Sequence, residues 1–395
     1  MDGGALTTAA AAEHVDVAIV GGGPIGLALA LALDGSGLAV ALLEAGTRFE
    51  RGDPRAIALA QGSRLILERL GVWPTLAMHA TPIETIHVSQ RGTPGRTVLT
   101  AREAGVPALG YTVEYGQLHR ALAQGLHAQA ALVLTGARVG AVRPAAGCGL
   151  IEYDQAGQTR QLSARLIVLA DGGGLPARGT VLAKDYGVSA IVCTVSTHLP
   201  HAHTAYERFT PQGPIALLPL SEAYALVWTT PAAEVERRLG LAEQDFLVEL
   251  QTAFGERQGR FLAASPRAAF PLRLRQVGER PRPGLVRVGN AAQTLHPVAG
   301  QGFNLGLRDA WQLARLAAET PRSALGGADF LARYGALRRW DVAGGLVMTD
   351  VLAELFTGAD PLAGAVRGAA LTLLDTLPPL KRTFARKMMF GAAAW

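Results

Sequence analysis

The sequence predicts an α/β fold in which a parallel, nucleotide-type sheet is interrupted by a smaller, mainly antiparallel β domain and followed by C-terminal helices. Three observations predict it. A buried-strand pattern, VDVAIV (15–20), passes through GGGPIG into the apolar helix pattern LALALAL and then a second strand, LAVALL, ending at Glu44. From about residue 182 comes a block of short strands, VSAIVCTVSTHL, TAYERFT, PIALLPLS and YALVWTT. From 279 the chain returns to a strand, and then to the glycine-rich stretch VGNAAQTLHPVAGQGFNLGLRD (288–309) that runs into a helix.

The elements follow in order. Gly21, Gly23 and Gly26 fit G-x-G-x-x-G. In that motif the first glycine permits a tight turn, the second lets a pyrophosphate approach the backbone, and the third lets the helix pack on the strand. Glu44 stands 18 residues after Gly26, where a carboxylate accepts both ribose hydroxyls of an unphosphorylated dinucleotide. Strand, turn, helix and acid agree, so the motif predicts FAD or NAD rather than NADP. RAIALAQGSRLILERL (55–70) reads as an amphipathic helix ending at Gly71. TIHVSQRG and RTVLTA read as strands, YGQLHRALAQGLHAQA as a helix, and ALVLTGARVGAV as a strand. ARLIVLADGGG is an apolar strand running into Asp171-Gly172. The helix after the glycine-rich stretch is expected to begin at about Asn304, and Asp309 to cap it or pair with Arg308.

These signals divide the chain into a tail (1–14), a Rossmann-like nucleotide-binding domain in three pieces (15–77, 108–181 and 279–345), an inserted substrate domain in two pieces (78–107 and 182–278), and C-terminal helices (346–395). At 395 residues the chain is long enough for two domains sharing a core. Hydrophobic residues make up 49% and charged ones 17%, with mean hydropathy +0.21. No run reaches the ~18 apolar residues of a spanning helix. The N-terminus lacks the basic start of a secretory signal, and the two cysteines, Cys148 and Cys193, rule out a disulfide framework and fit a reducing cytoplasm. The net charge of +5 is scattered, with no aromatic-basic stripe, which argues against nucleic acid. LPPLKRTFARKMMFG (377–391) is basic and amphipathic. It either rests on an anionic lipid surface, making the protein peripheral on the inner face of the cytoplasmic membrane, or packs on the protein's own body. HLPHAH offers His198, His201 and His203, but no carboxylate or cysteine at convincing spacing, so no metal is expected. Neither a Ser-His-Asp order nor a nucleophile elbow supports hydrolysis.

Taken together, the three motifs resemble the flavoprotein aromatic hydroxylases, the class that includes para-hydroxybenzoate hydroxylase, over about residues 15–390. DPRAIAL, ERFTPQGPIALLPL and GNAAQTLHPVAGQGFNLGLRD resemble its ubiquinone-biosynthesis branch, of the 2-polyprenyl-6-methoxyphenol hydroxylase type. The third motif carries Asn290 where the class usually has an acid, and the second carries Leu175 in place of a hydroxyl, with Arg178 at the usual arginine position. The resemblance implies non-covalent FAD held by Gly21, Gly23, Gly26, Glu44, Asp171, Gly172, Gly289, Asn290, Gly300, Gln301, Gly302 and Asn304. It adds Arg55 near flavin and substrate, and Gln117 as a flavin contact or a surface helix cap. Pro297 would fix the backbone beside the reacting flavin carbon, and His296 would assist phenol deprotonation or order the loop. It implies NADH or NADPH as a transient reductant, O2, a flavin C4a-hydroperoxide, a lipophilic prenylated phenol as substrate, and other ubiquinone-biosynthesis proteins as partners. Two rivals stay open, a flavin reductase or dehydrogenase acting on an isoprenoid and a non-catalytic flavin-binding component of a ubiquinone-synthesis complex.

Overall fold

A computed structural model describes residues 13–49, 53, 55–92, 95–126, 131–176, 180–278, 282–294, 301–355 and 361–391. The chain opens with β1 (Glu13–Val20), α1 (Pro24–Ala32) and β2 (Val40–Glu44). Next come β3 (Ala56–Ala60), α2 (Gln61–Arg69), α3 (Trp73–Ala77) and β4 (Thr81–Ile83), then the pair β5 (Thr85–Gln90) and β6 (Arg96–Thr100). After α4 (Ala101–Ala104) follow β7 (Gly110–Glu114), α5 (Tyr115–Leu126), β8 (Leu132–Thr135), β9 (Arg138–Arg143), β10 (Gly149–Gln155) and β11 (Gln158–Leu169). The inserted block holds β12 (Thr180–Thr197), β13 (Thr204–Thr210), β14 (Gly213–Leu220) and β15 (Ala223–Pro231). It continues with α6 (Val235–Gly240), α7 (Glu243–Phe254), β16 (Phe261–Ala264) and β17 (Ala268–Gly278). β18 (Leu285–Arg287) and β19 (Gln293–Thr294) precede the helices α8 (Gln301–Ala318), α9 (Ala328–Leu355), α10 (Pro361–Thr376) and α11 (Pro378–Phe390).

The first sheet runs β8-β2-β1-β11, all parallel, and β11 is shared at its far edge. Its first half pairs with β10 of an antiparallel β9-β10 unit, and its last three residues pair in parallel with β18. Strand alternation sorts the core into two layers. Val17 and Ile19 of β1 face α1, α5 and α8, while Ala18 and Val20 face Tyr153 and Ile151 of β10. Burying such apolar area, at roughly 25 cal/mol per Å², is the main force closing both layers.

The second sheet runs β19-β17-β12-β15-β14-β13-β5-β6, antiparallel except for β13 beside β5. Strands from both inserted pieces therefore share one sheet. A three-stranded sheet, β3-β7-β4, joins the two domains.

Three sequence expectations are corrected. Residues 56–60 are a strand, not the first turn of a helix, because Ala56 to Ala60 pair with Glu114 to Gly110, and the helix begins only at Gln61. ALVLTGARVGAV is two strands broken at Gly136, whose φ of +66° turns the chain. The helix expected at Asn304 begins at Gln301. Among the described residues, no helix is long and apolar enough to cross a membrane.

Candidate active site

One continuous cavity of about 1030 Å³ joins the two domains. At one end its wall is mostly backbone. Past Val20 the chain turns through Gly21 at φ +110°, where an added Cβ would lie 2.6 Å from the Ala170 carbonyl oxygen. A Cβ on Gly26 would lie 1.9 Å from the Gly21 oxygen, so helix and strand meet backbone to backbone. Gly23 differs, since a Cβ there meets nothing within 4 Å and the residue lines the cavity. The same holds for Gly172 and Gly302. Three bare glycines bordering open space make a cradle for a ligand that lies against the main chain. Gly23 is the N-cap of α1, Pro24 stands in its first turn, and no side chain caps the helix. Such a helix start holds a phosphate on its own N–H groups.

Glu44, 5% exposed, borders the same end. Its Oε2 accepts from the Gly22 N–H at 2.6 Å and its Oε1 from Gly46 N–H at 2.8 Å, so the acid shapes the turn it serves. A carboxylate has about four acceptor sites, enough to take ribose hydroxyls as well. His119 of α5 donates from Nε2 to the Gly22 carbonyl at 2.9 Å, and Arg138 of β9 lines the cavity nearby. Asp171 folds the second motif onto itself, accepting from Gly173 N–H at 3.2 Å and Leu175 N–H at 2.5 Å. Leu175 itself packs against the core.

The third motif is fixed by buried charges. Asp309 Oδ2 accepts from Gly289 N–H at 3.0 Å, and its Oδ1 accepts from Arg338 Nε at 2.5 Å. Arg338 and Arg308 both reach Asp341 at 2.7 Å. Asp309 therefore pairs with Arg338 of α9, rather than capping its helix or pairing with its neighbour Arg308. Burial pushes its carboxyl upward, against the downward pull of Arg338. Gly289 and Asn290 line the cavity. Asn304 does too, but its side chain ties α8 to β3, accepting from Ala60 N–H at 2.8 Å and Ser63 Oγ at 2.6 Å and donating to Ala58 O at 2.9 Å.

Arg55 borders the cavity. Its guanidinium lies 5.4 Å from the Tyr115 ring centre and 4.8 Å from that of Phe270, and it grips Asp53. Against the burial that raises it, this contact holds the Asp53 carboxyl below its ordinary range. Gln117 sits half-buried on α5 and does not border the cavity, where its neighbour Tyr115 does. His296, Pro297, Gly300 and Arg178 lie outside the described residues. Gln301 opens α8. His201 of the HLPHAH loop donates from Nε2 to the Ser221 carbonyl at 2.7 Å.

At the other end the wall is aliphatic and aromatic, from β5, β6, β13, β14 and the two C-terminal helices. Leu371 of α10 packs on Phe209, and Thr97 Oγ1 donates to the Leu371 carbonyl at 2.6 Å. Phe384, Met388 and Met389 of α11 close that end. Of the two readings left open for residues 377–391, the apolar side packs inward, with Met389 2% exposed. Lys381 is paired with Glu103 at 3.0 Å and Asp375 at 3.2 Å, whereas Arg382, Arg386 and Lys387 are exposed. The sequence reasoning did not find Arg138, His119, Glu207 or the two helical walls. Only Glu207 left a signal, a lone charge between Ala205 and Phe209 on one face of TAYERFT.

A family model described as an FAD binding domain matches residues 14–348. The chain is 36% identical over 399 residues to a ubiquinone hydroxylase, UbiL, of Rhodospirillum rubrum, covering 97% of this chain and 91% of that protein. It is 33% identical over 313 residues to the 3-demethoxyubiquinol 3-hydroxylase of Escherichia coli, covering 75% and 78%. Among solved structures, p-nitrophenol 4-monooxygenase PnpA of Pseudomonas putida has the same fold, with TM-score 0.80 at 18% identity over 96% of this chain and 99% of that one. An HpxO variant of Klebsiella pneumoniae complexed with FAD has TM-score 0.73 at 16% identity, over 96% and 100%.

Proposed function

Because this chain belongs to the FAD-binding family of flavoprotein hydroxylases, we propose that it hydroxylates a polyprenylated phenol of the 2-polyprenyl-6-methoxyphenol type in ubiquinone biosynthesis, with O2 and NADH or NADPH. The observation that supports this most is the two-part cavity. A backbone cradle with three nucleotide motifs opens directly into an apolar chamber fit for an isoprenoid tail.

Bound FAD supplies the redox chemistry and the activation of O2. The residues supply the rest. The first turn of α1 would hold the pyrophosphate and Glu44 would take the ribose. The positive end of α8 would favour negative charge on the ring by roughly 0.3–1 kcal/mol or more when buried. Arg55, on the cavity's border, would lie near flavin and substrate, and Pro297 would stand beside the reacting flavin carbon with His296 ordering that loop. The aliphatic walls exclude water and gain about 0.8 kcal/mol for each buried methylene of the tail. Only one G-x-G-x-x-G fingerprint is present in the sequence, so the nicotinamide visits transiently. The exposed Arg382, Arg386 and Lys387 set α11 against anionic lipid, at about 1 kcal/mol each. Sedimentation with anionic vesicles should then fall when all three are changed to alanine, and unchanged sedimentation would remove them from that role.

The test is oxygen uptake by the purified, FAD-loaded protein. A prenylated methoxyphenol should trigger NADH or NADPH oxidation with about one O2 consumed per reductant, the stoichiometry of a monooxygenase. Reductant oxidised without oxygen uptake would point to a reductase instead, and flavin that no nicotinamide reduces would point to a binding component.

A further inference from the structure

Glu207 stands on the cavity face of β13 with Ala205 and Phe209, opposite Ala216 of β14 and Val88 of β5. All five border the cavity, and Glu207 is the one ionisable side chain of that apolar wall whose carboxyl has neither ion pair nor hydrogen bond among the described residues. We propose that the Glu207 carboxylate receives the phenolic hydroxyl of the substrate, accepting its hydrogen bond and taking its proton as oxygen is transferred to the ring. This rests on the function proposed above and names the group that would orient the ring within the chamber.

Among the described residues, no charged group pairs with Glu207. Tyr206 points to the other face, where Gln258 Nε2 donates to its hydroxyl at 2.5 Å and its ring lies 5.6 Å from that of His87. Arg208 also turns away, reaching Ser89 Oγ at 3.4 Å. β14 carries no ionisable residue. On β15 Tyr224 belongs to the opposite core layer, and on β6 Arg96 is exposed. On α10 and α11, Asp375 and Lys381 hold each other, and the remaining basic residues of α11 are exposed. Burial therefore acts unopposed, and the carboxyl is pushed up to about 7. A base with that affinity is matched to neutral operating conditions.

The step balances within the proposed reaction. The phenolic O–H bond breaks, the proton passes to a Glu207 oxygen, and the electron pair stays on the phenolic oxygen and enriches the ring. O2 supplies the incoming oxygen atom, NADH or NADPH supplies two electrons, and the second oxygen leaves as water. The hydrogen of the attacked carbon leaves as a proton and goes into that water, the ring becomes aromatic again, and Glu207 returns its own proton to the phenolic oxygen.

The test compares a short-chain prenylated 2-methoxyphenol with its O-methyl ether, which cannot donate. Binding is read from the flavin absorbance of FAD-loaded wild type, Glu207→Gln and Glu207→Leu. The sign follows from the raised carboxyl. The carboxylate is present above about pH 7, so wild type should prefer phenol to ether there by about tenfold or more. That preference should shrink as the pH falls below this point, and kcat should fall over the same range. Glu207→Gln should retain FAD and ether affinity, lose the pH dependence, and turn over roughly 10²–10⁴-fold more slowly, the usual range for a lost acid–base group. Glu207→Leu should lose the preference outright. A Glu207→Gln variant with the wild-type preference and pH profile would overturn the assignment while leaving the hydroxylase reading intact. Wild type whose flavin responds to neither probe would overturn both.

Discussion

The nucleotide end and the far end of the cavity enclose their ligands by opposite means. At the first, Gly23, Gly172 and Gly302 border open space, and Gly21 and Gly26 bring strand and helix into backbone contact. At the second, side chains from β5, β13 and β14 and from α10 and α11 make the wall. The chemistry of the ligands explains the contrast. A pyrophosphate binds to N–H groups, which every residue carries, so specificity there comes from removing side chains. An isoprenoid offers only surface to bury, so its chamber is built of side chains, and their volumes set what fits. Damage at the first end should therefore be all-or-none, and damage at the second graded.

The largest effect is expected at Gly26. Gly26→Val places a Cβ within 1.9 Å of the Gly21 oxygen and must push α1 off β1. The purified variant should carry no flavin absorbance, or fail to fold. A variant that keeps stoichiometric FAD would show that helix and strand do not need to meet so closely. A smaller effect is expected at Met388, on the wall supplied by α11. Met388→Trp should leave FAD occupancy unchanged and weaken a long-tailed phenol by about tenfold, an overpacking cost of 1–3 kcal/mol, while sparing a short-tailed one. Release of flavin from this variant would mean that the two ends are not separable.

The same contrast governs what could be read from the sequence. The nucleotide end is local. Gly21, Gly23 and Gly26 lie within six residues, and Asp171-Gly172 and Gly289-Asn290 each follow a strand, so spacing alone carries the signal. The supports beneath it are not local. Arg338 reaches Asp309 across 29 residues, and Asn304 is held by Ala60 and Ser63 more than 240 residues away. No periodicity reports such pairs. The helix expected over 55–70 failed for a related reason, since pairing with β7 overrides a helical pattern that in fact starts at Gln61. The far wall was the least legible part. Glu207 on β13 lies far in sequence from Leu371 and Met388 on α10 and α11, and they converge only when the sheet and the C-terminal helices pack. The resemblance supplied the substrate class, but the residues that would select it became visible only in three dimensions.

Isotope labelling tests the central claim, that one cavity brings a flavin and a lipophilic phenol together for oxygen transfer from O2. The unmodified protein, loaded with FAD and supplied with NADH or NADPH, 18O2 and a prenylated methoxyphenol, should give a product with one labelled oxygen on the ring. Label arriving from water, or product forming in the absence of oxygen, would contradict it.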